Sequence, residues 1–71
     1  MLDHVPVSSS NLVSVGYDPE EMALEVAFQS GSVYRYSNVP MGVHVALMSA
    51  GSKGKFFHQH IRKAYQFERL K

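Results

Sequence analysis

Seventy-one residues with a formal net charge of +1 make one domain, and a chain this short buries only about 60% of the surface its unfolded form exposes. With zero cysteines, a disulfide brace and a thiolate zinc site are both excluded, and assembly into dimers or larger oligomers stays open as a source of stability. The near-neutral total excludes a dedicated nucleic-acid packager.

Residues 1–10 read as an extended lead-in. Pro6 holds Val5 away from the helical region, and Ser8-Ser9-Ser10-Asn11 is turn chemistry. Asp3, His4 and Pro6 interrupt any signal-peptide core, and no apolar stretch approaches the eighteen or so residues of a membrane span. A soluble, cytoplasmic protein is expected. From Leu12 the pattern alternates: Val13, Val15 and Tyr17 point one way, Ser14 and Gly16 the other, as in a half-buried strand. Asp18-Pro19-Glu20-Glu21 is a turn, with proline at its first central position. A second strand covers 22–28, with Leu24, Val26 and Phe28 on its apolar face. A third covers 33–37.

The link between these two strands decides their register. A two-residue loop at Ser30-Gly31 would set Arg35 opposite Val26 on the apolar face and turn both Tyr34 and Tyr36 away from it. A three-residue loop, Gln29-Ser30-Gly31, with Gly31 in a left-handed bulge conformation, sets Val26 against Tyr34, Leu24 against Tyr36 and Glu25 against Arg35. Only the second register suits every side chain, and a one-residue slip would invert them all. It makes Tyr34 and Tyr36 core residues whose hydroxyls reach the rim.

Ser37-Asn38-Val39-Pro40 starts a helix over 39–50, with Pro40 in the first helical position and Asn38 or Val39 as cap. This helix is apolar nearly all round, so it is expected to be buried on more than one side, with part of its surface meeting a partner or a second copy. Gly51 suits a left-handed cap at its end. Ser52 caps a second helix over 52–64, whose stripe is Phe57, Ile61 and Ala64, with Phe56 and His60 flanking. Arg62 and Lys63 complement the helix dipole in its last turn. Residues 65–71 form a short strand or a tail that packs Tyr65 and Phe67. The expected fold is α+β: a three-stranded antiparallel meander over 11–37, then two helices packed on one sheet face. Its core is Val13, Val15, Tyr17, Leu24, Val26, Phe28, Tyr34, Tyr36, Val43, Leu47, Phe57 and Ile61.

No residue set specifies a reaction. Gly51-Ser52-Lys53-Gly54-Lys55 superficially resembles a phosphate-binding loop, but its glycines are too close together and Phe56 stands where serine or threonine should follow the lysine. What survives is a helix start with free backbone N–H groups beside Lys53 and Lys55, a perch for phosphate. His58 and His60 are two apart on a helix and do not face each other, so no metal site is expected. Serines are numerous, but none sits in a nucleophile-elbow pattern. Paired carboxylates occur only in the Asp18–Glu21 turn. No catalytic residue, cofactor or metal is assigned.

The charges are unevenly placed. Asp3, Asp18, Glu20, Glu21 and Glu25 lie early, whereas Lys53, Lys55, Arg62, Lys63, Arg69 and Lys71 meet only Glu68 in the last third. Such a basic patch suits a solvated helix face or an anionic partner.

Taken in order, Val7-Ser8-Ser9-Ser10, Val15-Gly16-Tyr17-Asp18, Leu24-Glu25-Val26-Ala27-Phe28, Gly31-Ser32-Val33-Tyr34-Arg35-Tyr36, Val39-Pro40, Ser52-Lys53-Gly54-Lys55-Phe56-Phe57 and Ile61-Arg62 closely resemble the KTSC domain. The resemblance covers roughly residues 5–69. It implies a small domain of a kind also found at the C-terminus of some lysyl-tRNA synthetases and as stand-alone bacterial and phage proteins. It brings no catalytic residues, and an RNA-binding role is the suggestion attached to it.

Two functions of different class follow. In the first, the protein is a non-catalytic module for RNA or single-stranded nucleic acid. Lys53, Gly54, Lys55, Phe56, Arg62, Lys63 and Arg35 would hold the strand, and Tyr34 and Tyr36 would stack on bases. In the second, it binds a protein partner or itself, through Met41, Val45 and Met48 or through the small-residue sheet face of Ser14, Gly16, Ala23 and Ala27.

Overall fold

The computed structural model describes residues 2–71; Met1, the first residue of the expected lead-in, lies outside the described residues. The fold is α+β. Five antiparallel strands, β1 (Val5–Pro6), β2 (Leu12–Asp18), β3 (Ala23–Phe28), β4 (Val33–Tyr36) and β5 (Phe67–Arg69), lie in chain order in one sheet. Helices α1 (Met41–Ser49) and α2 (Lys53–His60) connect β4 to β5. The expected meander is β2–β4. The lead-in adds a strand on one edge, and the chain end adds one on the other.

The β3–β4 register is the one that the glycine bulge demands: Val26 opposes Tyr34, Leu24 opposes Tyr36 and Glu25 opposes Arg35. Gly31 has φ +96° and donates its N–H to the Phe28 carbonyl, while Phe28 donates to Ser32. A side chain at Gly31 would strain this bend.

One face of the sheet meets both helices. Leu12, Val15, Leu24, Val26, Tyr36 and Val39 form a single buried cluster with Leu47 of α1, Phe57 of α2 and Ile61 just after it. Tyr17, Phe28, Tyr34 and Val43, all expected in the core, are half-buried against this cluster. Val13 departs from expectation, with 41% of its surface exposed. The β2–β3 register shifts between Leu12 and Ser14, so Val13 is the extra residue of a bulge and Leu12 takes the core position that simple alternation assigned to Val13.

The helix ends differ from expectation as well. Asn38 adopts φ +58°, a left-handed conformation that asparagine tolerates. Pro40, not Asn38 or Val39, becomes the N-cap of α1, and its carbonyl accepts from Val43 and His44. Ala50 closes the helix in an extended conformation, so Gly51 supplies no left-handed cap. Ser52 caps α2 as expected, accepting from the Lys55 N–H. The helix stops at His60 because the Phe57 carbonyl takes the N–H groups of both Ile61 and Arg62, at 3.0 Å each. That widened turn draws Ile61 into the core and leaves Arg62 and Lys63 beyond the last helical turn.

Helix α1 is less enclosed than its composition suggests. Of its residues only Leu47 is fully buried. Met41 and Val45 are 53% and 54% exposed, whereas Met48 packs against the core and so leaves the predicted interface trio.

Candidate functional site

The two sheet faces carry different chemistry. On the helix side, the open end of the core forms a groove of about 610 Å³, within the range of small-ligand sites. Alternation along β4 aims Tyr34 and Tyr36 at it, and Phe28 from β3, Phe57 from α2 and Phe67 from β5 complete an aromatic floor. The rings are mutually engaged. Phe28 meets Tyr34 edge-on at 5.8 Å, Tyr36 meets Phe57 edge-on at 5.5 Å, and Phe67 leans on Tyr34 and Tyr36 at 5.5 and 5.6 Å.

One wall is basic: His58, Arg62 and Lys63 follow one another along the end of α2 and its widened turn. Asn11, Ser30 and Ser32 line the remaining rim, and among the described residues no carboxylate contributes to the lining. Burial, followed by the nearby Tyr34, pushes the Tyr36 phenol up to about 12, with Arg62 pulling the other way. Tyr36 therefore keeps its proton throughout the neutral range. The groove offers flat π surfaces, a neutral hydroxyl and fixed positive charge, a combination suited to a planar group attached to an anion.

Of the residues expected to bind nucleic acid, the structure gathers Tyr34, Tyr36, Arg62 and Lys63 and separates the others. The Lys53 ammonium donates to the Ala50 carbonyl at 3.1 Å, so it serves the α1–α2 turn. Gly54 packs close to Ser9 and Asn11, whose side chains lie 3.5 Å from where a Cβ would stand. Lys55 is exposed away from the groove lining. Phe56 leans on His60, with ring centres 4.7 Å apart and planes tilted by 43°, as its flanking position suggested, although His60 is exposed. Phe28, Phe67, His58 and Asn11 join the groove without having been assigned to it. The alternation of Tyr65-Gln66-Phe67 was the available signal for Phe67.

Arg35 projects from the opposite face, where a second cluster lies. Glu25 is 0% exposed and accepts from Arg35 at 3.0 Å, from His4 Nε2 at 2.9 Å and from the Leu2 N–H at 3.0 Å. Because the carboxylate only accepts, His4 carries a proton on Nε2, and its Nδ1 hydrogen-bonds to the Ser14 hydroxyl at 2.8 Å. Burial alone would raise the Glu25 pKa. The hydrogen bonds from His4, Leu2 and Arg35 outweigh it and hold the carboxyl below its usual range.

Residues 2–4 thus form a strap across β2, and Gly16 permits it: a Cβ there would lie 2.8 Å from the Asp3 carbonyl oxygen and 2.7 Å from the His4 ring. The small-residue face expected to receive a partner is covered at Gly16 by the chain's own N-terminal segment. Ser14, His4 and Glu25 form a hydroxyl–imidazole–carboxylate chain that holds this strap, with the groove on the other side of the sheet. Among the described residues, no three His, Cys, Asp or Glu side chains gather as a metal site. Among them, too, no helix is long and apolar enough to cross a membrane.

A domain of this architecture, with a five-stranded meander covered on one side by two short helices, is a known class. The KTSC domain profile matches residues 8–65, and the chain belongs to the KTSC domain family. The crystal structure of a KTSC domain protein from Yersinia pestis superposes with a TM-score of 0.93 at 39% identity, covering 100% of both chains. An uncharacterized protein of Stutzerimonas stutzeri is 44% identical over 70 residues, which is 97% of this chain and 99% of that one. A lysine–tRNA ligase of Nostoc is 41% identical over 54 residues, 76% of this chain but only 10% of the ligase. The domain therefore also occurs as a small part of a much larger synthetase.

Proposed function

We propose that the protein is a non-catalytic binding module that holds single-stranded RNA in the aromatic groove. Tyr34 supplies a base-stacking surface, and Arg62 and Lys63 hold flanking phosphates. The observation that carries this reading is the basic wall standing beside an aromatic floor, with no acid among the described residues of the lining. The likeness to a segment of lysine–tRNA ligases supports an RNA partner, as does the preference of RNA readers for splayed bases stacked on aromatic side chains. A cytoplasmic location fits this role.

The test is fluorescence anisotropy with a labelled single-stranded RNA at two salt concentrations. Affinity should fall with salt, and the R62A/K63A double variant should bind weakly with a shallower salt slope. Absence of binding at low salt, or an unchanged affinity in the double variant, sinks the proposal. A second reading, contact with a protein partner or a second copy, is favoured by Met41 and Val45, which α1 presents to solvent.

A further inference from the structure

Tyr36 lines the groove yet is only 3% exposed, so a base cannot lie against its ring while its present neighbours stay in place. Three of those neighbours are aromatic rings, and two of the three, Tyr34 and Phe57, come from β4 and from the core side of α2. The third, Phe67, belongs to β5. This strand has three residues, every side chain is exposed, and among the described residues β4 is its only strand partner. Phe67 itself is 56% exposed, yet its ring leans on both tyrosines. Gln66, Leu70 and Lys71 add backbone hydrogen bonds to Ser37 and Val33, all of them along the same sheet edge. Short exposed edge elements open locally at the least free-energy cost.

We propose that Tyr36 is a second, covered nucleobase site, and that Phe67 occupies it in place of a base until β5 swings off the edge of β4. The inference rests on the RNA reading of the groove and adds to it a base-binding position that opens on demand. An incoming base replaces one aromatic contact with another. The strand closes again through its backbone pairing when the nucleic acid leaves. Of the two tyrosines, Tyr34 is the one accessible to the first base.

The test compares wild type, Phe67→Ala and Phe67→Leu for binding to a labelled single-stranded uridine decamer, with circular dichroism confirming the fold of each. Phe67→Ala should bind about tenfold more tightly, the factor that one aromatic contact commonly supplies. Phe67→Leu, which fills space without a flat ring, should fall between it and wild type. A Tyr36→Leu change made in the Phe67→Ala background should abolish the gain. If Phe67→Ala binds equally or less tightly while wild type binds, Phe67 is a fixed wall of the groove and the covered site is wrong. If no variant binds at low salt, the RNA reading fails and this inference fails with it.

Discussion

Arg35 and Glu25 face each other across β3 and β4, and the guanidinium donates to the carboxylate at 3.0 Å. This ion pair removes Arg35 from the groove and places it in the cluster that anchors the N-terminal strap. One register thus sorts the two faces: tyrosines toward the helices, the ion pair toward the strap.

Glu25→Ala should destabilise the protein by about 3 kcal/mol in urea unfolding. That is the low end for breaking a buried ion pair, because Arg35 and His4 still reach water. Glu25→Gln should cost about 1–2 kcal/mol, since it keeps the volume but mismatches one donor. A change below about half a kcal/mol in Glu25→Ala, within the ordinary range of surface substitutions, would show that the cluster contributes nothing to stability.

Gly16→Ala should lift the strap. A Cβ there meets the Asp3 carbonyl oxygen and the His4 ring inside van der Waals distance. Amide hydrogen exchange at Leu2, whose N–H is held by Glu25, should accelerate, with a stability loss of about 1–3 kcal/mol. Groove residues such as Tyr34 should keep their protection.

Stability should fall at both ends of the pH scale. Burial lowers the His44 pKa below its usual 6.5, so the fold favours the neutral ring, and this contribution is lost as pH falls below 6.5 through the folded-state value. Glu25, held below its usual 4.5, keeps its contribution above that pH and loses it as pH falls further. Tyr36, raised from 10.0 to about 12, contributes fully below 10 and loses on the order of 2–3 kcal/mol as pH rises to 12. Chemical denaturation at a series of pH values should show the acid loss in two steps. In Tyr36→Phe the alkaline loss should shrink.

Lys63→Ala should weaken RNA binding and reduce the salt slope by about 0.7, the amount expected when one fewer phosphate is neutralised on a single strand. Lys55→Ala should leave both unchanged, since Lys55 lies outside the groove lining. Equal effects from the two lysines in parallel salt titrations would mean that net charge, not the groove, drives binding.

Met41→Ser and Val45→Ser should leave the unfolding midpoint within experimental error, because both side chains are already more than half exposed. Light scattering over a dilution series then tests the second reading. If wild type self-assembles through this face, the double variant should stay monomeric; a wild type that is monomeric at high concentration excludes a homomeric use.

Most of the sheet was legible because strand patterning is local. The bend at Gly31 and the alternation around it determine which of Leu24, Glu25, Tyr34 and Arg35 share a face. Several features of the fold escaped, the edge strand at Val5–Pro6 and the end of the second helix at His60 among them, and two show why. Val13 obeys alternation by composition, but the bulge beside it exchanges its position with Leu12, and nothing in a run of small and apolar residues marks which one is skipped. Asn38 and Pro40 both suit a helix start, and only the backbone angles decide between them. The site was legible in part. Arg62 and Lys63 stood out as charges and Tyr34 and Tyr36 as a pair, whereas Phe67 joins them through a pairing of distant strands. His4 was unreadable as a partner of Glu25, because the two meet only after the strap crosses β2.

The strap and β5 therefore reach opposite sides of the molecule, the strap behind the sheet and β5 beside the groove. That arrangement governs how the protein can be handled. An affinity handle fused after residue 71 would burden β5 and distort any measurement of what the groove accepts. One fused before residue 2 would leave the groove untouched but load the strap where it reaches Glu25, so it should be judged by melting temperature before any titration is believed.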